Sequence, residues 1–298
     1  MKHLFFGPEG HLRNGWWVLV FVAVFLLSRL LYTPVSHGLQ ALGLSKTWLA
    51  PLPFVFALLV TWVCTRLRRQ PLASVGFQMD RRWLREAVAG TAFGMAAILI
   101  VTALIWATGG VRFELDPARS LAMLASGFYL FAFVALFEET LFRGFVFQRL
   151  VDGLGAGVAL AAFGLLFAVA HWSNPGMEGA IRFLAAGSMA TGGIMFGLAW
   201  LRTRSLAMPV GIHLGWNWTQ GHVLGFGVSG FDHNGWLQPL FQGRPQWLTG
   251  GEFGPEASVF AVVVDVIAIA LLWKWKGTAG ASAGTQVAPS AAALASTH

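Results

Sequence analysis

The sequence predicts an all-α, polytopic membrane protein with about eight transmembrane helices. Of its 298 residues, 56% are apolar or aromatic and only 11% are charged, whereas a soluble domain carries about 25% charged residues. The mean hydropathy is +0.64, and the apolar residues fall in blocks of about 20, the length that a helix needs to cross a bilayer. This composition excludes a soluble enzyme, a disordered chain and a disulfide scaffold.

Eight apolar segments are long enough to span a membrane, and their continuity favours helices because only helices or closed barrels satisfy every backbone group in lipid. In chain order they are Gly15–Tyr32, Trp48–Thr65, Glu86–Ala107, Ser120–Phe147, Gly155–His171, Arg182–Leu201, Leu206–Phe226 and Ala257–Trp275. The first is interpreted as an uncleaved span because no small-residue cleavage site follows it. The single cysteine, Cys64, lies within the second segment and is interpreted as a packing residue.

Two stretches outside these segments differ in character. The tail, residues 277–298, is rich in Ala, Ser and Gly without any period, so we expect it to be disordered. The loop Gly227–Glu256 carries Trp236 and Trp247 among Gly and Pro residues. It is interpreted as a structural belt at the lipid headgroups rather than as a lid.

The basic residues predict the orientation of the chain. With eight spans and a cytoplasmic N-terminus, most of the 20 Lys and Arg residues fall on the inner side, as the positive-inside rule expects. Both termini are therefore predicted to be cytoplasmic, in a multi-pass protein of the plasma (inner) membrane. The net charge of +7 then reflects orientation rather than nucleic-acid binding. The cluster Arg66–Arg85 is interpreted as a contact with anionic lipid, so the lipid bilayer is an expected partner and nucleic acid is not.

Charged residues inside the apolar segments need a physical reason, because a charge near the bilayer centre costs roughly 3 kcal/mol even on the mildest scale. Glu139 and Arg143 are four residues apart, so on a helix they share a face and can form an ion pair. Glu138 points about 100° away and is left without a partner on its own helix. A buried ion pair with Glu138 as a second acceptor and a functional carboxylate are both compatible with this motif.

His171 ends the fifth apolar segment. A histidine beside a tryptophan near a membrane interface is usually structural. The glycine-rich turn centred on Leu154 changes this expectation, because Glu138 lies 16 residues before it and His171 lies 17 residues after it. In an antiparallel hairpin, equal distances from the turn put the two side chains at the same depth, about 25 Å from it. We therefore expect Glu138 and His171 to face each other.

Polar residues also occur in the last two segments. His213 and Asn217 are four residues apart and share a helical face, which suits either a functional pair or a tie to a neighbouring helix. Asp265 is interpreted as a helix–helix hydrogen-bond partner rather than as a proton relay. His222 and His233 lie at or beyond the outer end of the seventh segment and are interpreted as surface residues.

These groups have the chemistry of a water-activating hydrolase. Glu138, desolvated in apolar surroundings, can take a proton from water and return it to a leaving amine. His213 and Asn217 can donate to the oxyanion that develops on a scissile carbonyl. Alternatively, Glu138, His171 and His213 would bind Zn²⁺, which would acidify the water directly. The residues do not choose between the zinc-dependent and the metal-free version.

Three motifs occur in order on separate predicted helices, and together they resemble those of the CPBP intramembrane proteases. This is the abortive-infectivity family, which includes the type II CAAX prenyl endopeptidases. The motifs are Glu138-Glu139-x-x-x-Arg143, Phe167-x-x-x-His171 and His213-x-x-x-Asn217. Each motif alone is weak, but three in order within an eight-span chain make a specific match over residues 120–226.

The resemblance implies an all-helical fold with a membrane-embedded polar cavity that opens toward the cytoplasm. The protease domain would comprise residues 1–276. Glu138 would be the base for the catalytic water, with Glu139 and Arg143 as supporting residues. The site would be completed by His171, His213 and Asn217.

The predicted function is therefore that of an intramembrane endopeptidase that hydrolyses a peptide bond of a membrane-tethered protein or peptide. The resemblance does not indicate whether that substrate is prenylated. An alternative is a non-catalytic immunity or scaffold protein of the same family, in which the polar cluster only fixes helix packing. A transporter with a Glu–His proton relay ranks last, since the sequence lacks paired broken helices and repeat symmetry.

Overall fold

A computed structural model describes residues 5–6 and 12–279 of the chain. Most of these residues are helical. The main helices are α1 (Asn14–Ala41), α2 (Pro51–Leu67), α3 (Arg81–Ala107), α4 (Leu121–Arg143), α5 (Phe145–Leu154), α6 (Ala156–Ala170), α7 (Ile181–Thr203), α8 (Ala207–Trp218) and α9 (Val259–Lys274). The largest hydrophobic core lies where α4, α6, α7, α8 and α9 meet.

Every predicted span contains a helix, but the helices differ in length. Within the described residues, four helical runs are long and apolar enough to cross a membrane: α1, α3, the run Leu121–Leu154 and α7. The helices α2 and α6 are apolar but shorter. The four long runs indicate an integral membrane protein, while the number of eight spans stays a prediction.

The fourth predicted span is not one straight helix, because the backbone breaks at Gly144. This residue has ψ −130°, outside the helical range, and separates α4 from α5. A Cβ atom at this position would lie 2.1 Å from the carbonyl oxygen of Thr140, so a side chain does not fit. The side-chain amide of Gln148 holds the break by donating to the carbonyl oxygens of Val75 at 2.9 Å and Arg143 at 3.2 Å.

This break overturns the depth argument for the predicted hairpin. Equal distances from Leu154 place two residues at the same depth only if both helices run straight to the turn. Here α5 is a separate helix of 10 residues between α4 and the turn. The placement of Glu138 and His171 therefore depends on how α4 and α6 pack, not on their distance from Leu154.

A small antiparallel sheet is a feature that the all-α prediction missed. Strand β1 (Val111–Leu115) pairs with β2 (Leu237–Phe241), with Val111 opposite Phe241. The strict alternation of apolar and charged residues in Val-Arg-Phe-Glu-Leu is the period-2 signal of a half-buried strand. The sheet fastens the loop after α8 to the end of α3.

In the loop Gly227–Glu256, Trp247 is 52% exposed, and the belt at the lipid headgroups stays a prediction. The first part of the loop folds inward, and Val228, Ser229 and Phe231 line the central cavity.

Two smaller expectations concern Cys64 and the tail. Cys64 is fully buried and free, as a packing residue should be. At the start of the predicted tail, the Thr278 hydroxyl donates to Glu86 at 2.6 Å and its backbone N–H donates to Arg202 at 3.1 Å. Residues 280–298 of that tail lie outside the described residues.

Candidate functional site

The predicted pairing of Glu139 with Arg143 on α4 is confirmed. Arg143 Nη1 lies 3.2 Å from Glu139 Oε1, and both side chains are fully buried. The other guanidinium nitrogen, Nη2, donates to the carbonyl oxygen of Gly193 at 3.0 Å. The rings of Phe167 and Phe196 lie 4.9 Å from the guanidinium carbon. The arginine is thus neutralised and enclosed, so the pair serves as a fixed element of the site.

Glu138 is turned away from this pair. Its side chain is 20% exposed, and its Oε2 lies 3.9 Å from His213 Nε2, beyond hydrogen-bond distance. Oε2 is buried without a hydrogen-bond partner among the described residues. A buried carboxylate oxygen with no donor is costly, which marks Glu138 as an acceptor free for chemistry.

His213 on α8 bridges the two glutamates. Its Nδ1 lies 2.9 Å from Glu139 Oε1, so the ring donates Nδ1–H to a carboxylate that is itself paired with Arg143. The imidazole stacks on Phe196 with ring centroids 5.1 Å apart and planes 15° apart. This hydrogen bond assigns the tautomer and directs Nε2 toward Glu138. Glu139 therefore orients His213 in addition to balancing Arg143.

The position of α8 is set by glycines on the face opposite His213 and Asn217. A Cβ atom at Gly211 would lie 2.2 Å from Ala87 O, and one at Gly215 would lie 2.1 Å from Thr91 O. The facing helix α3 has its own close contacts at Gly90 and Gly94, where Cβ atoms would lie 2.4 Å and 2.1 Å from carbonyl oxygens of α8. Small residues four apart let helices approach to backbone contact. Because the glycine face of α8 packs on α3, the opposite face, with His213 and Asn217, points toward α4.

His171 ends α6, where it forms the C-cap. Its Nδ1–H donates to the carbonyl oxygen of Phe167 at 2.8 Å, and its ring lies 4.6 Å from the Phe167 ring. This leaves Nε2 as the nitrogen available to a ligand in the cavity. His171 does not hydrogen-bond to Glu138, so the two face the same space rather than each other.

One cavity of about 510 Å³ brings the predicted residues together. Its walls are mostly aromatic and aliphatic side chains from α4, α6, α7 and α8. The polar groups among them include all four predicted catalytic residues: Glu138, His171, His213 and Asn217. An apolar cavity with a few convergent polar groups is typical of a ligand or active site.

Residues 119–219 match the family model described as type II CAAX prenyl endopeptidase Rce1-like. The match contains all three motifs and confirms the resemblance inferred from them. It indicates a protease of the CAAX prenyl endopeptidase type. No curated protein and no solved structure matches the chain.

The residues that match the family model, 119–219, are called the Rce1-like segment below. This segment does not supply every polar group of the cavity. Asp265 on α9 accepts hydrogen bonds from Ser188 Oγ at 3.1 Å and Thr191 Oγ1 at 2.9 Å, both on α7. This is the helix–helix contact that was predicted for it. Asp265 also lines the cavity. It therefore both links two helices and contributes a carboxyl group to the wall of the site.

Glu256 lines the cavity and was not predicted as a site residue. It is 2% exposed and accepts a hydrogen bond from the backbone N–H of Ser229. Burial raises the pKa of Glu256, while the hydrogen bond from Ser229 and the charge of His171 oppose that rise. The sequence offered little signal, because Glu256 lies in a glycine-rich loop outside the apolar segments.

The surface interpretation of His222 and His233 is wrong. His222 is 8% exposed and packs against Phe131, with ring centroids 5.5 Å apart. His233 lies 5.2 Å from His222 and lines the cavity beside the Rce1-like segment. Burial lowers the pKa of His233, and Asp232 opposes this. Gly127 makes room for the His222 ring, because a Cβ atom there would lie 2.2 Å from it.

The described residues hold no group of three or more His, Cys, Asp or Glu side chains arranged to bind a metal ion. Of the zinc ligands considered from the sequence, His213 already donates Nδ1–H to Glu139 and His171 donates Nδ1–H to a carbonyl oxygen. The zinc site of Glu138, His171 and His213 stays a prediction, because both rings keep Nε2 free and a zinc-binding histidine usually donates its other ring N–H in this way.

Proposed function

We propose that the chain is an intramembrane endopeptidase that hydrolyses a peptide bond of a membrane-tethered protein or peptide through a water activated by Glu138. The observation that carries this proposal is the free carboxylate oxygen of Glu138. It is buried without a hydrogen-bond donor in a mostly apolar cavity, and His213 Nε2 lies 3.9 Å away. A general base needs this combination of a free acceptor and restricted solvation.

In the proposed first step, Glu138 removes a proton from a water molecule as the water oxygen bonds to the scissile carbonyl carbon. His171 Nε2, which is left free by the bond from Nδ1 to Phe167, accepts a hydrogen bond from that water and orients it. The carbonyl π electrons move onto oxygen and form the tetrahedral oxyanion. Proton abstraction by a positioned carboxylate contributes about 10²–10⁴-fold to such rates.

Asn217 and His213 then stabilise the oxyanion. The Asn217 side-chain amide supplies an N–H donor from the cavity wall. Because His213 Nδ1–H is committed to Glu139, its Nε2 donates only when the ring is an imidazolium, whose charge Glu139 and the oxyanion balance while Glu138 carries the proton from water. Collapse of the oxyanion breaks the C–N bond, and Glu138 returns its proton to the leaving amine.

Glu139 and Arg143 act as supporting residues in this scheme. Glu139 fixes the His213 tautomer, and Arg143 holds Glu139 in place. Neither carboxylate nor guanidinium of this pair needs to touch the substrate. This division leaves one glutamate for chemistry and one for orientation.

The cofactor assignment is a proposal of the same kind. We infer a metal-free reaction, because the described residues hold no group of three or more His, Cys, Asp or Glu side chains arranged to bind a metal ion. Activity of the purified protein should survive treatment with a chelator, and metal analysis should find no stoichiometric zinc. Loss of activity on chelation, with recovery on adding Zn²⁺, would overturn this inference.

The test of the proposed function uses liposomes that contain the full chain and a panel of membrane-tethered peptides, each with and without a prenyl group. Wild type should cleave at least one, and Glu138→Gln should not. Glu138→Gln keeps the size of the side chain but is a far weaker base. Equal cleavage by both proteins would favour the non-catalytic alternative, in which the polar cluster only packs helices.

We also infer that both termini face the cytoplasm in the plasma membrane, on the strength of the basic residues of the inner loops. A reporter fused after Gly277 should therefore be active only on the cytoplasmic side.

A further inference from the structure

The loop side of the cavity contains a buried carboxylate that the proposed reaction does not use. Glu256 lies in the 3₁₀ turn Pro255–Ala257 and lines the same cavity as Glu138 and His171. Among the described residues, no Lys or Arg forms an ion pair with it. A carboxylate buried without a Lys or Arg partner costs free energy, so its position calls for a reason other than stability.

A chain of hydrogen bonds leads from Glu256 to the backbone of His171. The N–H of Ser229 donates to Glu256 Oε1. The carbonyl oxygen of Ser229 accepts from Asn174 Nδ2 at 2.9 Å. The backbone N–H of Asn174 in turn donates to the carbonyl oxygen of His171 at 3.0 Å. These hydrogen bonds link three loops that are distant in sequence, namely those that contain Glu256, Ser229 and Asn174.

Ser229 adopts a backbone conformation that it would not hold unaided. Its φ is +49°, in the left-handed region, which is strained for a residue with a side chain. The bond to Glu256 offsets this cost, because it gives the part-buried N–H of Ser229 an acceptor and avoids the penalty of an unsatisfied donor. Loss of the Glu256 acceptor should therefore release Ser229.

The same three loops are also in direct backbone contact. Gly230 N–H donates to the carbonyl oxygen of Phe253 at 2.9 Å. A Cβ atom at Gly230 would lie 1.9 Å from the carbonyl oxygen of Pro175, so only glycine fits there. Such contact leaves little room to absorb a shift, and movement of one loop would move the others.

We propose that Glu256 is a positioning residue for His171. It fixes Ser229, and through Asn174 it sets the backbone of His171 and the direction in which the imidazole Nε2 points. The ring is held from its other side by the bond between Nδ1 and Phe167. This inference rests on the proposed function, because a fixed direction of Nε2 matters only if His171 orients a ligand in the cavity.

The test compares two replacements of Glu256 with a control in the same loop, in the full chain reconstituted in liposomes. Glu256→Ala removes the acceptor, and we expect kcat to fall about 10²-fold, as for a misplacement of about 1 Å, with KM changed less than about threefold. Glu256→Gln keeps a carbonyl oxygen for Ser229, so its loss of kcat should be less than about 10-fold. Glu252→Ala changes an exposed glutamate that does not line this cavity and should leave kcat and KM unchanged.

Amide hydrogen exchange of residues 171–177 supplies a readout that does not depend on catalysis. Exchange should rise in Glu256→Ala and remain close to wild type in Glu256→Gln. Equal loss of kcat in both variants, or unchanged exchange in Glu256→Ala, would overturn the positioning role. If wild type cleaves no peptide, the proposed function fails, while the exchange result still decides whether Glu256 holds this loop.

A second variant covers the case in which Glu256→Ala does not fold. Asn174→Asp keeps the size of the side chain but removes the amide donor to Ser229, the next link of the chain. It should lower kcat and raise exchange in the same segment. Wild-type values of both in Asn174→Asp would contradict the proposal.

Discussion

The two sides of the cavity satisfy their polar groups in different ways. On the helical wall, formed by α4 and α8, the ionic contacts run between side chains, with Arg143 and His213 both bound to Glu139, and Glu138 Oε2 keeps no partner among the described residues. The residues of this wall are Glu138, Glu139, Arg143, His213 and Asn217. On the loop wall, side chains are satisfied by backbone groups. Its residues are His171, Asn174, Ser229 and Glu256.

This difference separates the chemistry from its alignment. On the helical wall, removal of one partner of an ion pair leaves the other charge buried and uncompensated, which strongly destabilises the fold. On the loop wall, each link is a hydrogen bond with a net worth of about 1 kcal/mol, so changes there should be graded. The helical wall is thus expected to decide whether the reaction occurs, and the loop wall how fast it runs.

The largest effect is expected for Glu138→Gln on the helical wall. It should lower kcat by about 10²–10⁴-fold, the usual contribution of a general base. Stability should not fall, because the carboxylate oxygen Oε2 has no hydrogen-bond partner to lose. Single-turnover cleavage and thermal denaturation in the same detergent measure the two quantities. If Glu138→Gln kept the wild-type kcat, the helical wall would not carry the chemistry, and the proposed difference between the two walls would be wrong.

Arg143→Met should cause the largest loss of stability. It leaves Glu139 buried without its cation, which costs about 3–5 kcal/mol. The matched control is the double variant with Glu139→Gln, which removes both charges and should recover much of that loss. Chemical denaturation in micelles gives the free energies of unfolding. Equal free energies of unfolding for the single and double variants would show that the ion pair of Glu139 and Arg143 does not stabilise the helical wall.

Asn217→Ala tests the oxyanion role on the same wall. Loss of one donor to a developing oxyanion lowers kcat by about 10²–10³-fold, with a small change in KM. Asn234→Ala is the control, because Asn234 is exposed and lies outside this cavity. A large rise in KM with unchanged kcat would instead assign Asn217 to substrate binding.

Gly230→Ala should have the smallest of these effects and acts on the loop wall. The new Cβ would lie 1.9 Å from Pro175 O, and the residue has φ +86°, so we expect a loss of about 1–3 kcal/mol in stability. Gly187→Ala is the control, since nothing lies within 4 Å of a Cβ atom there. Helical Gly→Ala changes usually stabilise by about 0.5–1 kcal/mol. If both variants behave alike, the loops are not in tight contact.

Contacts within one helix were predictable from the sequence. The pair Glu139 and Arg143 lies 3.2 Å apart as its i, i+4 spacing predicts. His213 and Asn217 line the same cavity for the same reason. These predictions succeeded because the helical period alone decides which side chains share a face.

Contacts between segments were predicted less well. The hairpin argument assumed straight helices, and the break at Gly144 invalidated it. The bond from His213 to Glu139 joins residues 74 apart in sequence, and no spacing rule predicts it. The Gly90-x-x-x-Gly94 and Gly211-x-x-x-Gly215 pairs were a usable signal for the α3–α8 contact that was not recognised.

The sequence by itself determined the membrane class of the protein, the identity of its few intramembrane charges and the pairing of those on one helix. Composition and the 3.6-residue period carry that information without reference to the rest of the chain. Only the tertiary structure decided that Glu138 keeps a free oxygen, that Glu139 orients His213 and that Glu256 reaches the loop of His171. Those outcomes depend on how closely separate segments pack, which glycines and backbone breaks set in three dimensions.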